Sequence, residues 1–159
     1  MNTRIGFGHD VHQLVPNRKL VLGGINIEHT KGTLGHSDGD ALIHAICDAL
    51  LGALALRDIG HHFPDTSSEY KDIDSKIILK RTMSLIKDKG WSVGNIDSTI
   101  CLEKPKINPH IPDMIKILAP ILEIDQDQLS IKATTNEKLG FVGAEDGVAV
   151  YAVCALYRK

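Results

Sequence analysis

Aromatic side chains are scarce in this 159-residue chain: three Phe, three Tyr and one Trp, 4% of the whole. Any core must therefore be aliphatic. Cysteine is scarce as well. Cys47, Cys101 and Cys154 are odd in number, widely spaced and each set in an apolar run, which argues against a disulfide frame or a CxxC zinc knuckle and points to buried, reduced thiols. Long apolar runs are missing. Stretches such as residues 53–56 fall far short of the roughly 20 residues that span a bilayer, and the opening MNTRIGFG has no basic-then-apolar layout of a signal segment. The expectation is a cytoplasmic protein with no membrane partner. Positive charge is not in excess either: a formal net charge of −2 leaves no basic footprint for nucleic acid. Phosphate recognition, if present, has to be local. With no internal repeat, low-complexity tract or linker, residues 1–159 are expected to form a single domain, long enough to bury roughly 70% of the unfolded surface.

What is present reads as alternating elements. Residues 3–14 and the run KLVLGGINI, residues 19–27, are short apolar stretches separated by Pro16 and Asn17, which predicts a hairpin or two neighbouring strands. From Asp38 to Leu56 the apolar residues Ala41, Leu42, Ala45, Ile46, Ala49, Leu50 and Ala53 recur at helical spacing, with Ser37 or Asp38 placed to cap the start. Residues 57–72, RDIGHHFPDTSSEYKD, form a polar loop long enough to be mobile and functional. A second helix is predicted over residues 75–89, with Ile77, Ile78, Met83, Leu85 and Ile86 on its apolar face and Gly90 ending it. Residues 91–104 alternate in strand fashion through Val93, Ile96, Thr99 and Cys101; residues 110–124 return to helix, and LSIKATT and GVAVYAVCALY are the last strands. The order of elements implies an α/β fold, a two-layer sandwich in which helices pack on one face of a mixed β-sheet.

The stretch GHDVH, residues 8–12, places metal-grade ligands inside a strand. Side chains two apart on a strand share a face, so Asp10 and His12 point one way and His9 and Val11 the other. In the first helix Asp40, His44 and Asp48 follow one another at four-residue spacing and form a polar stripe on an otherwise apolar element. Asp10, His12 and His44 together make one carboxylate and two imidazoles, a donor set that suits zinc and leaves a fourth position open, as catalytic sites do. Cys47, one turn from His44, reads as core. Gly35, His36, Ser37 and Gly39 fall at the helix start, where free N–H groups and the dipole attract anions, although Ser37 equally serves as a cap. In IKATTNEKLGF, residues 131–141, a strand ends in Thr134 and Thr135 followed by Glu137 and Lys138. This is either a solvated turn or a second phosphate cradle with a carboxylate for Mg²⁺.

With these residues assembled, the sequence resembles the 2-C-methyl-D-erythritol 2,4-cyclodiphosphate synthase family of the non-mevalonate isoprenoid pathway. The resemblance rests on RIGFGHDVH at residues 4–12, GHSDGDALIHAICDALLGALAL at 35–56, DIGHHFPD at 58–65, KPKINPHIPDM at 104–114 and IKATTNEKLGF at 131–141, in that order. It implies a lyase that assembles as a homotrimer with active sites between subunits. Zn²⁺, one per subunit, would bind Asp10, His12 and His44, and Mg²⁺ or Mn²⁺ would join Glu137 to the substrate diphosphate. The resemblance matches His36 and Ser37 to the phosphate turn, and Asp58, Gly60, Phe63 and Asp65 to the methylerythritol-binding loop. Lys104, Pro105, Lys106 and Ile107, with Ala133, Thr134 and Thr135, match a cytidine pocket supplied by the adjacent subunit. Phe141 joins the substrate-binding set, and Asp10, His36, Ser37, Thr135 and Glu137 the catalytic one. Asp40 and Asp48 are then candidates to orient His44 or nearby groups.

The implied reaction takes 4-diphosphocytidyl-2-C-methyl-D-erythritol 2-phosphate to a cyclic diphosphate and CMP, with the substrate's own 2-phosphate as nucleophile. No Ser or Cys nucleophile is then required, and the protein's task is positioning and charge neutralisation. Two competing readings use the same residues: a zinc-dependent phosphoesterase with His36 or Asp65 as base, which leaves residues 104–108 without a role, and a trimeric scaffold, for which an open metal site is a poor choice. The chain departs from the family at Arg57, where Gly is usual. It departs again at Ala144, Glu145 and Asp146, where many relatives carry an Arg and then a Glu lining a cavity on the trimer axis that can hold an isoprenoid diphosphate.

Overall fold

The alternation that opens the chain becomes a long strand, β1 (Thr3–Pro16), in the computed structural model, which describes residues 2–158. β1 pairs antiparallel with the last strand, β7 (Gly147–Tyr157), along a register that sets Gly8 opposite Ala152 and Asp10 opposite Val150. On its other edge lies β4 (Lys31–Leu34). β5 (Ser92–Cys101) pairs antiparallel with β7 and parallel with β6 (Leu129–Thr134), so the five-stranded sheet runs β4-β1-β7-β5-β6 and is mixed, as expected. Residues 19–27 do not join it. They form a separate hairpin of β2 (Leu20–Leu22) and β3 (Ile25–Ile27), turning at Gly23 and Gly24, and the neighbour of β1 is instead Lys31–Leu34. That strand carries a glycine and a single large apolar residue, and its pairing comes from the sheet edge rather than from its own pattern.

Three long helices cover one face: α1 (Ala41–Ala53), α3 (Ser75–Asp88) and α4 (Ile111–Leu122). Between α1 and α3 the expected loop contains a single helical turn, α2 (Ile59–His62), and a 3₁₀ turn at Ser68–Tyr70. Another short turn, α5 (Gly140–Gly143), precedes β7. α1 is shorter than its periodicity suggested. Gly39 takes φ +75° and ends the extended approach, and Asp40 rather than Ser37 or Asp38 is the cap, its Oδ1 accepting the Ile43 N–H at 3.0 Å.

Two glycines decide how close α1 can come. A Cβ on Gly6 would lie 1.8 Å from the Ala49 carbonyl oxygen, and one on Gly8 would lie 1.9 Å from that of Ala45. Gly6 and Gly8 are therefore the floor on which the small residues of α1 rest, and the same strand face continues into Asp10 and His12.

The core is aliphatic, with Leu42, Ile43, Ile46, Leu50, Leu79, Ile86, Ile96, Ile100 and Met114 among its fully buried members. Cys47 and Cys154 are buried in it, while Cys101 is half-buried; all three are free thiols. Two expected faces shift. In β5 a bulge between Val93 and Asn95 resets the alternation, so Ser98 and Ile100 point inward in place of Thr99 and Cys101. On α3 the buried face is Ile78, Leu79, Thr82, Met83 and Ile86, and Ile77 stays 42% exposed. Among the described residues nothing covers the opposite face of the sheet, leaving Ile5, Phe7, Val11, Tyr151 and Val153 exposed. Among the described residues no helix is long and apolar enough to cross a membrane.

Candidate metal centre and flanking clefts

β1 and α1 bring three donors to one point. Asp10 Oδ2 lies 3.0 Å from His12 Nδ1 and 3.1 Å from His44 Nδ1, and one ligand atom from each of the three residues falls within 4.8 Å of the others. The two imidazole rings stand 5.2 Å apart and are tilted by 44°. Burial alone would raise the Asp10 carboxyl, but the two adjacent imidazoles outweigh it and hold it at about 2. Burial likewise disfavours a charged His44, and contact with Asp10 overrides this and raises its value. His12 Nδ1 is buried and, although close to Asp10, lacks a directed hydrogen-bond partner. A buried ring nitrogen without a well-directed partner, beside an ionised carboxylate and a second imidazole, is what a divalent cation of the zinc type would satisfy. The residues fit the metal that the sequence suggested.

The far side of His44 is also engaged. Its Nε2 sits 2.9 Å from Ser75 Oγ and 3.1 Å from Ser37 Oγ, both buried hydroxyls. Ser75 was missed at the sequence level, where it is only the first residue of the predicted helix over 75–89. The side chains of Asp40 and Asp48 make no hydrogen bond to the His44 ring, whose partners are Asp10, Ser37 and Ser75, and Asp40 meets His44 only through its backbone carbonyl. Asp40 accepts from the Gly23 and Gly24 N–H groups as well as from Ile43, pinning the β2–β3 turn to the start of α1. Asp48 accepts the Ile59 N–H at 2.7 Å and so holds the first turn of the 57–72 segment. The helix dipole is thus capped by a carboxylate, and His36 and Ser37 lie ahead of the helix rather than on its N-terminal turn.

Next to the donors opens a cleft of about 300 Å³ lined by His12, His44, His36, Ser37, Gly60, Phe63 and Asp65, together with Ile59, Tyr70 and Ile78. The last three were not foreseen; Ile59 and Tyr70 lay in a segment read as polar, and Ile78 looked like core. Asp58 is not in this cleft but in a neighbouring hollow shared with Asp48 and Arg57. Arg57 holds φ +70°, a left-handed conformation that suits the glycine usual there. A second cleft, of about 230 Å³, gathers Pro105, Lys106, Ile107, Ala133, Thr134 and Thr135. Lys104 is not part of it: its Nζ pairs with Glu145 Oε1 at 3.0 Å. Glu137 is exposed and accepts from the Thr135 hydroxyl at 3.1 Å, and Phe141, 48% exposed, packs near Gly147. The two clefts share no lining residue.

Comparison with known proteins adds identity to this geometry. A model of the YgbB family matches residues 3–157. The 2-C-methyl-D-erythritol 2,4-cyclodiphosphate synthases of Parabacteroides distasonis and Bacteroides thetaiotaomicron are 61% and 62% identical over 158 residues. Each alignment covers 99% of this chain, and 98% and 99% of the respective relative. Among solved structures, the Plasmodium falciparum IspF in complex with CDP superposes with a TM-score of 0.87 at 36% identity, covering 99% of this chain and 97% of that one. The bifunctional IspDF of Campylobacter jejuni matches with a TM-score of 0.94 at 38% identity, covering 99% of this chain, which spans 42% of that longer protein.

Proposed function

The chain belongs to the YgbB family, and from that premise we propose that it is a cyclodiphosphate synthase of isoprenoid biosynthesis, converting 4-diphosphocytidyl-2-C-methyl-D-erythritol 2-phosphate to 2-C-methyl-D-erythritol 2,4-cyclodiphosphate and CMP. The observation that carries the reading at the level of chemistry is the convergence of Asp10, His12 and His44 at the edge of a cleft that also holds His36 and Ser37. In the reaction, an oxygen of the 2-phosphate forms a bond to the β-phosphorus as the bond from that phosphorus to the bridging oxygen breaks. CMP departs with the bridging oxygen.

Zn²⁺ held by Asp10, His12 and His44 would supply Lewis-acid polarisation of a phosphate oxygen, and Mg²⁺ or Mn²⁺ at Glu137 would offset diphosphate charge. The chain's own part is to fold a flexible substrate into attack geometry. His36 and Ser37 offer an imidazole and a hydroxyl to the phosphates from the turn ahead of α1. Ile59, Gly60, Phe63 and Ile78 wall the cleft, Asp65 within it offers a carboxylate to the hydroxyls of the methylerythritol, and Asp58 would approach them from the adjoining hollow. Lys106, Ala133, Thr134 and Thr135 form the cytidine pocket, whose edge residues Thr135 and Glu137 are already hydrogen-bonded to one another.

The working assembly is a homotrimer with the second cleft of one subunit facing the first cleft of its neighbour. Two observations support it: the uncovered apolar sheet face, and the separation of the two clefts within one chain. A cytoplasmic setting accords with three free thiols. The test is phosphorus NMR of the purified protein with the diphosphocytidyl substrate and Mg²⁺. Stoichiometric CMP with a coupled pair of cyclic-diphosphate resonances is the expected result. Release of inorganic phosphate without a cyclic product would overturn it.

A further inference from the structure

His44 is held on both ring nitrogens; on the Nε2 side Ser37 Oγ, at 3.1 Å, accepts the Gly39 N–H and keeps a lone pair to spare, so the proton inventory turns on Ser75. A serine hydroxyl owns one proton and two acceptor lone pairs. Ser75 Oγ contacts two groups, Asp38 Oδ1 and His44 Nε2. Asp38 collects donors: the Asp40 N–H at 3.2 Å, the Ser75 N–H at 3.0 Å and the Ser75 hydroxyl. With its single proton given to Asp38, Ser75 can only accept from His44. The imidazole therefore carries a proton on Nε2, which leaves Nδ1, 3.1 Å from Asp10 Oδ2, as the nitrogen that would face a metal where Asp10 and His12 converge.

The segment that bears Ser75 is fixed independently of His44. The Asp38 N–H donates to the Ile73 carbonyl at 3.1 Å, and the Asp72 N–H to the His36 carbonyl at 2.8 Å. Ser75 is not needed as the cap of α3, since Asp74 fills that place and accepts the Lys76 N–H at 2.9 Å. It is fully buried, so no water replaces its oxygen at low cost. Its hydroxyl thus has no evident work except to join the carboxylate of the 36–38 turn to the imidazole of α1.

We propose that Ser75, oriented by Asp38, is a positioning residue that fixes the His44 imidazole with its proton on Nε2 and its Nδ1 lone pair directed at the metal position. The inference rests on the reading that Asp10, His12 and His44 bind zinc. Oriented imidazole ligands of this kind hold metal more tightly, and removal of the group that accepts the ring N–H typically costs 10–100-fold in affinity.

The experiment is a chelator-competition measurement of the zinc dissociation constant for the wild type, Ser75→Ala, Ser75→Cys and Ser75→Thr, paired with ¹H–¹⁵N NMR of the His44 ring in the zinc-loaded and zinc-free proteins. Zinc binding should weaken by about 10–100-fold in Ser75→Ala and by a comparable factor in Ser75→Cys. Ser75→Thr, which restores a hydroxyl, should return to within a few-fold of the wild type. The wild type should show a slowly exchanging His44 Nε2–H that is lost or exchanges rapidly in Ser75→Ala. Constants for Ser75→Ala and Ser75→Cys within twofold of the wild type would overturn the proposal, as would a zinc-loaded wild type in which Nε2 bears no proton. Should wild-type protein bind no zinc at Asp10, the metal reading itself fails. The Nε2–H of the zinc-free protein then still decides whether Ser75 governs the imidazole.

Discussion

Asp10 occupies a position where its charge is useful because two imidazoles face it across 3.0 and 3.1 Å. Replacing it with Asn keeps the shape and removes the charge. Asp10→Asn and His44→Ala are expected to purify as folded proteins without stoichiometric zinc, as measured by elemental analysis after gel filtration. A metal that lowers the barrier by about 4 kcal/mol corresponds to a loss of roughly 10³ in turnover. The thiols make a contrasting prediction. Burial pushes Cys47 up to about 12 and Cys154 up to about 11, while half-buried Cys101 is raised less severely. A raised thiol has less thiolate at any given pH, and the thiolate is the reacting form. Cys101 should therefore react first with a thiol reagent at pH 8, and Cys47 only when the protein is unfolded. Mass-spectrometric timing of the three modifications checks this. The donor types were legible in the sequence because ligand chemistry belongs to the residue. Ser75 was not, because a serine acquires that role only from the two groups placed beside it.

At the scale of elements, the contact between β1 and α1 controls both stability and site geometry. Gly8→Ala would drive a Cβ into the Ala45 carbonyl, which is backbone and cannot rotate away. A loss of about 3 kcal/mol or more is expected in urea denaturation, at the upper end of overpacking effects. Arg57→Gly should act the other way. Arg57 sits at φ +70° just before α2, and a residue with a Cβ in that region costs roughly 1–2 kcal/mol. The substitution should gain up to about 1 kcal/mol of stability after the entropic cost of glycine, read from the denaturation midpoint. The helical period of α1 could be read directly, since it depends on residues three and four apart. Its cap could not, because Ser37, Asp38 and Asp40 are all plausible there, and the choice depended on Gly39 turning the chain and on the Gly23 and Gly24 N–H groups arriving at Asp40. The β5 face was misread for a related reason: the bulge at Gly94 changes the phase of alternation without changing the residue pattern.

For the whole molecule, the uncovered side of the sheet carries the strongest expectation. Ile5, Phe7, Val11, Tyr151 and Val153 lie together on it and are 41–65% exposed, a contiguous apolar patch of the kind that marks an interaction surface. Sedimentation analysis should give three times the mass of one chain. Val153→Glu, on that face and outside both clefts, should yield folded monomers whose cyclase activity falls by at least about tenfold, because each site then lacks its neighbour's half. A monomer with undiminished turnover would remove the shared-site arrangement. Residue identity and short-range spacing carried the α/β class, the mixed sheet, the aliphatic core and the donor set of Asp10, His12 and His44, since periodicity and ligand chemistry are properties of near neighbours in the chain. Contacts across 17 to 43 positions settled the rest: the Ser75 and Asp38 support of His44, the hairpin pinned by Asp40, the glycine floor under α1 and the separation of the two clefts. A hydrogen bond or a close approach is satisfied by whichever group folding brings within reach, and no local pattern names that group in advance.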